Sequence, residues 1–403
     1  MSPKARLLAV LVLGLLAARP VSGQTVCPLV QVTDGSGCDS AFAVLEGGAA
    51  AFQSDCDLTG ANADGNDEIF LFDGTTFAQI TDSSGCVNGA ASLEGGAVAF
   101  QSDCDLTGGN PDGNREIFLF DGSTLVQVTD STGCINSSAS LFGGDVGFWS
   151  MCDLTGGNPD GNPEIFLLDG STVLQVTDTG GCENTGPSLG VDALVFASTC
   201  DLTGSNADGN LEIFYFLGPT FAQFTDTSGC ANGGASLDGS ALAFTSDCDL
   251  TGGNPDGNAE IFLRDGPTLA QITDSSGCGS GFSSLDGGAV AFQSSCDLTG
   301  GNPDGNTEVF LFDGSTFVQV TDGSSCSSNL PSLDGGALAL HSSCDLTGGN
   351  PDASLEIFLA ACRPVSALEI PAARPFGLAA LALLLVAAGL LSLRRRSPRA
   401  AGR

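Results

Sequence analysis

The chain has 403 residues, with 57 glycines, one Trp, one Tyr and one His, a composition suited to tight turns and short strands rather than helices. All 47 acids lie between Gln24 and Glu369, a stretch with three basic residues, Arg115, Arg264 and Arg363, and so a net charge of about −44. Nucleic acid is excluded as a partner, because phosphate binding needs Lys and Arg.

The first 23 residues have the form of a secretion signal. Lys4 and Arg6 make the basic start, Leu7–Ala18 the apolar core, and Val21-Ser22-Gly23 a small-residue cleavage site. Export suits sixteen cysteines, an even count, in a disulfide-permissive compartment.

The segment 24–364 is repetitive. From Cys38 to Cys344 the gaps between cysteines alternate between 18 and 30 residues, giving seven copies of a 48-residue unit. A period in the forties to fifty with strand-like content points to propeller blades. In one copy, 90–93 is a short first strand, 97–102 the second, 116–121 the third and 125–129 the fourth. Ile117, Phe118, Leu119 and Phe120 put apolar groups on both faces of the third strand, as blades packed face to face require. The expected fold is an all-β, seven-bladed propeller of four-stranded repeats.

The run SLDGGAVAFQSSCDLTGGNPDGNTEVFLFDGSTFVQVTD at 284–322 resembles the WD40-like repeat of TolB-type β-propellers. The resemblance covers roughly 26–362, seven times over. It implies the fold and says little about activity, since propellers host many functions.

Cysteine positions predict a bridge pattern. The chain opens on a lone fourth strand, 29–33, and its last repeat ends with a third strand, 356–362. The N-terminal strand can therefore complete the last blade. In the repeat alignment Cys362 and Cys27 fall at adjacent positions of the missing hairpin turn, so a Cys27–Cys362 disulfide closes the ring. That closure is worth roughly 3–5 kcal/mol in the chain-entropy model. Cys38 and Cys56 are symmetric about Gly47, in the turn between the first two strands, so the hairpin sets them opposite each other. The same relation predicts Cys86–Cys104, Cys134–Cys152, Cys182–Cys200, Cys230–Cys248, Cys278–Cys296 and Cys326–Cys344. Zinc is disfavoured, with one His and no CxxC pair.

Between the second and third strands runs an acidic loop. In the second copy, Asn110, Asp112, Asn114 and Glu116 alternate, with Asp105 at the loop's start. The equivalents are Asn254, Asp256, Asn258 and Glu260 in the fifth copy, and Asn302, Asp304, Asn306 and Glu308 in the sixth. Alternating oxygens beside a Gly are a pattern of calcium loops. Asn-Pro-Asp-Gly-Asn is equally a plain turn with side chains capping backbone N–H groups. Calcium is thus the one candidate cofactor, and the last copy, NPDASLEIF at 350–358, should bind it worst.

No catalytic residue is singled out. One His gives no Ser-His-Asp set, and His341 stands where other copies have Gln101 or Gln293. Trp149 and Met151 mark the third copy. Near-identical blades argue against an enzyme. The expected role is a non-enzymatic binding or scaffold module, with an envelope protein or glycan as ligand. A propeller enzyme acting on extracellular polysaccharide or peptide and a structural surface-layer component are the alternatives.

After a linker or sorting motif at 365–375, the segment 376–393 is 18 residues without a charge, about 27 Å as a helix and enough to span a bilayer. The basic tail 394–403 would stay cytoplasmic, leaving the propeller exported and anchored. The stretch 369–396 resembles the IPTL-CTERM and PEP-CTERM sorting tails of bacteria, which implies a sorting protease as a partner.

Overall fold

The alternation of Ala97, Val98, Ala99 and Phe100 with a Gly-Gly turn before it folds as the sequence predicts: Ala97–Ser102 is a strand, and Gly95 and Gly96 turn the chain with positive φ. The computed structural model describes residues 25–191 and 193–364. The secretion signal at 1–23, the linker at 365–375, the apolar stretch at 376–393 and the tail at 394–403 lie outside the described residues. Among the described residues, no helix is long and apolar enough to cross a membrane.

Seven four-stranded antiparallel sheets follow one another along the compact unit Val26–Cys362. The second blade is representative: Asn88–Glu94, Ala97–Ser102, Glu116–Phe120 and Leu125–Gln127. Its fourth strand stops short of the predicted Thr129. The Thr129 hydroxyl instead accepts the Ile117 N–H at 2.8 Å, so a side chain replaces the ladder there. First strands of successive blades lie side by side around the centre, and the seventh meets the first.

Ring closure is as the sequence predicts. Leu29–Gln31 pairs with the third strand of blade seven, Leu29 opposite Ala360 and Gln31 opposite Phe358. Cys27 and Cys362 are bonded beside this pairing, and the seven other bridges join the predicted partners. The within-blade pairs span 5.2 to 5.4 Å between Cα atoms, normal disulfide geometry. No cysteine is free, which places the propeller in an oxidising extracellular or periplasmic environment.

The core is distributed between blades. Ala99 and Ile117 of blade two pack against Leu141, Phe148 and Phe166 of blade three, and each junction repeats the theme. Phe148 and Phe166 stack at 5.8 Å, as do their counterparts in blades one to six at up to 6.0 Å. Blade seven has Leu340 beside Phe358 instead. Such pairs add to the burial of two large rings.

Replacing both Cys27 and Cys362 by Ser should cost about 5 kcal/mol, against about 3 kcal/mol for the Cys134–Cys152 pair, because the closing bridge restrains a far longer loop. Denaturant unfolding of the two double variants measures the difference. Equal losses would mean that strand pairing alone holds the ring shut.

Candidate functional site at the mouth of the channel

The acidic loops and the links between blades share one face. Each loop is held by the buried side chains that end it. In blade two, Asn110 donates its backbone N–H to Asp105 Oδ1 at 2.9 Å, and its Nδ2 to the carbonyls of Cys104 and Asn114 at 3.3 and 2.8 Å. Asn114 Nδ2 reaches Glu116 Oε1 at 2.7 Å and the Cys134 carbonyl at 3.3 Å. Glu116 is fully buried. Its Oε1 also takes the N–H and hydroxyl of Ser131 in the link, and its Oε2 takes Asn136 Nδ2 of the next blade at 2.9 Å.

The five predicted ion ligands of this loop therefore divide. Glu116 is committed as an acceptor that ties two blades together. Asp112 is exposed and receives only the Gly133 N–H, at 3.3 Å. Asn254, Asn258 and Glu260 repeat the arrangement in blade five, as do Asn302, Asn306 and Glu308 in blade six, while Asp256 and Asp304 are exposed. Among the described residues, three groups of cysteine and aspartate atoms converge closely, such as Cys86, Asp103 and Cys104. Their sulfurs are spent in disulfides, which leaves one carboxylate in each.

Asn136 has counterparts in Asn88, Asn184 and Asn232, each donating to a glutamate Oε2 at 3.0 to 3.1 Å. Blades six, seven and one have Ser280, Ser328 and Ser40 there. The shorter side chain does not reach: Glu260 Oε2 and Glu356 Oε2 are left without a donor. Glu308 Oε2 finds the Thr321 hydroxyl instead.

Sequence reasoning missed the rim of the central channel. Every first strand carries a bulge whose third residue is left-handed: Phe42, Ala90, Ser138, Gly186, Gly234, Phe282 and Leu330, with φ of 48° to 60°. Bulges re-aim side chains, and bulky residues rarely hold this conformation. In three blades a side chain near the end of the preceding blade's second strand accepts the left-handed residue's N–H. Gln101 Oε1 accepts the Ser138 N–H at 3.2 Å, Gln293 Oε1 the Leu330 N–H at 3.0 Å, and His341 Nδ1 the Phe42 N–H at 3.3 Å. His341 is thus a substitute for Gln, with its acceptor nitrogen in use. Trp149 is half-buried and donates to the Ser138 hydroxyl at 3.1 Å, and Met151, just past the end of that strand, is exposed. The signal available in the sequence was variation: these positions differ among copies that otherwise barely differ.

Two cavities meet at this rim. The channel, about 430 Å³, is walled by small residues such as Ala43, Ala91, Ala139 and Pro187. A groove of about 530 Å³ crosses blades four to six on the loop face, lined by Leu211, Gly233, Thr245, Asp247, Ala259 and Phe282 among others. Gly234 and Phe282 border both. Phe282 is 60% exposed.

Two measurements test this framework. Ser280→Asn should restore the donor to Glu260 and stabilise by about 1 kcal/mol, whereas Asn136→Ser should cost about 1–3 kcal/mol; urea melts of both report it, and equal effects would refute the lock. Burial lowers the His341 pKa to about 4. The unfolded chain takes up that proton near its ordinary value of about 6.5. Stability is therefore full above about pH 6.5 and declines as pH falls towards 4. His341→Gln keeps an acceptor without the titration, so its melting temperature should fall less over that window. Parallel curves would contradict the assignment.

The propeller resembles solved structures in fold. It matches the β-propeller domain of the trilobed protease from Pyrococcus furiosus with a TM-score of 0.54 and 10% identity, covering 83% of this chain and 99% of that one. It matches an oligogalacturonate lyase in complex with manganese with a TM-score of 0.54 and 14% identity, covering 85% and 98%. It matches a puromycin-hydrolysing peptidase of Mycobacterium tuberculosis with a TM-score of 0.51 and 11% identity, covering 83% of this chain and 54%, about half, of that one. No protein-family model and no curated protein matches the sequence. The chain is a seven-bladed β-propeller of the architecture found in peptidase and lyase propellers.

Proposed function

We propose that this is an exported binding module that takes its ligand in the groove across blades four to six. The observation that carries the reading is Phe282. A large aromatic ring is held in left-handed backbone, mostly exposed, at the junction of groove and channel. Strain and exposure together cost stability, and residues held so cluster at ligand sites. The groove offers an aromatic face, small apolar walls, the Thr245 hydroxyl and the Asp247 carboxylate. On a surface of strong negative charge, that set favours a neutral or cationic ligand with a flat apolar face, such as a neutral sugar chain or a basic peptide. A membrane anchor or sorting tail at the C-terminus would hold the module at the envelope.

A second reading is an enzyme acting on extracellular polysaccharide or peptide. It is supported by the oligogalacturonate lyase, a protein of lyase activity whose chain the propeller covers almost entirely. Asp247 is the carboxylate placed to take part.

Phe282→Gly tests the first reading. Blades four and five carry Gly at this position, so the variant should fold with an unchanged or raised melting temperature. On arrays of neutral glycans and basic peptides it should lose at least about tenfold in affinity for whatever the wild type binds. Retained binding would move the site elsewhere. Turnover of a bound glycan or peptide, abolished by Asp247→Asn, would establish the enzyme.

A further inference from the structure

Every acidic loop of blades one to six encloses two amide oxygens that meet no donor. In blade two they are Asn110 Oδ1 and Asn114 Oδ1, and the pair recurs at Asn62 and Asn66, Asn158 and Asn162, Asn206 and Asn210, Asn254 and Asn258, and Asn302 and Asn306. The first Asn of each pair is at most 2% exposed. The amides cannot be turned over to relieve this. Asn110 Nδ2 faces the Cys104 and Asn114 carbonyls, and Asn114 Nδ2 faces the Glu116 carboxylate and the Cys134 carbonyl. Reversal would set oxygen against oxygen at each contact. The network thus dictates that the free ends are acceptors, each left without the partner that buried polar atoms normally have.

A carboxylate lies in each of these loops, bonded to the backbone of the first Asn. Asp105 Oδ1 takes the Asn110 N–H at 2.9 Å, and Asp57, Asp153, Asp201, Asp249 and Asp297 do the same in their loops at up to 3.0 Å. Enclosed amide oxygens near a carboxylate, in loops whose one cationic side chain is Arg115 of blade two, are the donor set of a hard divalent cation.

Blade seven differs in the residues that matter. Ser354 replaces the second Asn, so one amide oxygen is missing. The other, Asn350 Oδ1, lies 3.1 Å from the Ser354 hydroxyl.

We propose that the loops of blades one to six each bind one calcium-like divalent cation through the paired Asn oxygens and the entrance Asp, and that the loop of blade seven does not. The glutamates are not ligands. The groove of blades four to six plays no part in this inference, so either can fail alone.

The test is calorimetric titration of the exported, disulfide-bonded protein with calcium chloride after chelator treatment. Six calcium ions per chain are expected, with a melting temperature that rises on loading and falls again on chelation. Magnesium should bind more weakly, because it demands stricter octahedral geometry. Asn114→Ser, which gives blade two the seventh loop's residue, should lower the count to five. Ala353→Gly combined with Ser354→Asn should raise it to seven, and this variant stands whether or not the first one folds. No heat and no thermal shift at millimolar calcium would mean that water satisfies the oxygens, and would overturn the proposal. So would a count unmoved by the exchange in blade seven.

Discussion

The buried glutamate at the head of each third strand is the constraint on which the other features rest. A carboxyl group without exposure to water needs several donors to be tolerated. Here they come from three places. The acidic loop supplies an Asn amide in six blades and the Ser354 hydroxyl in the seventh, the link supplies a backbone N–H, and the next blade supplies a second Asn at four junctions. Satisfying one group therefore fixes the loop, the link and the angle between neighbouring blades. The link N–H donates in all seven copies, at 2.6 to 2.8 Å, even where the hydroxyl has gone and Gly35 or Gly323 stands instead. At those two glycines a Cβ would lie 2.3 Å from a disulfide sulfur, so the bridge occupies the space that the hydroxyl side chain fills elsewhere.

Because this framework is repeated, departures from it stand out. The three junctions without the interblade Asn lead into blades six, seven and one, and these blades carry Phe282, Leu330 and Phe42 at the rim. The same sector thus combines a slacker polar lock with the bulkiest left-handed residues. Stability has been given up there twice over, in hydrogen bonding and in backbone conformation. That pattern is expected where a repeat has been reshaped for a contact rather than for packing.

Most of the fold was legible because cysteine spacing is an exact ruler. A gap of 18 centred on Gly47 specifies a hairpin and its bridge, and a gap of 30 specifies the rest of the blade. Cys27 and Cys362 could be paired because each occupied one half of a turn missing from the last repeat. The candidate site was less legible. Glu116 looks like a ligand when spacing alone is considered, since position in sequence does not reveal that the side chain enters the blade interface. Phe282 carries no local signature of a left-handed φ, which arises from register slip between Gly281 and Ser284 in the ladder. Only comparison among copies could have marked it.

The bridges and the acids also explain each other. About 44 uncompensated negative charges on one compact body oppose folding through self-repulsion. Some acids offset this by capping backbone. Asp73 and Asp121 are held well below the usual carboxylate range by the hydroxyls and N–H groups of the turns they close, Thr75 foremost for the first and Thr124 for the second. Others cap across blades, as Asp334 does for Gly47 and Asp286 for Gly335. Such contacts at an exposed surface are individually small. Covalent closure does not weaken with charge or salt in that way. Repetition adds a second hazard, because near-identical strands can pair with the wrong copy. A bridge within each hairpin forms over a short stretch of chain and commits that hairpin before distant copies can compete. The eighth bridge then joins the N-terminal strand to the last repeat covalently, at the seam where that strand pairs with blade seven.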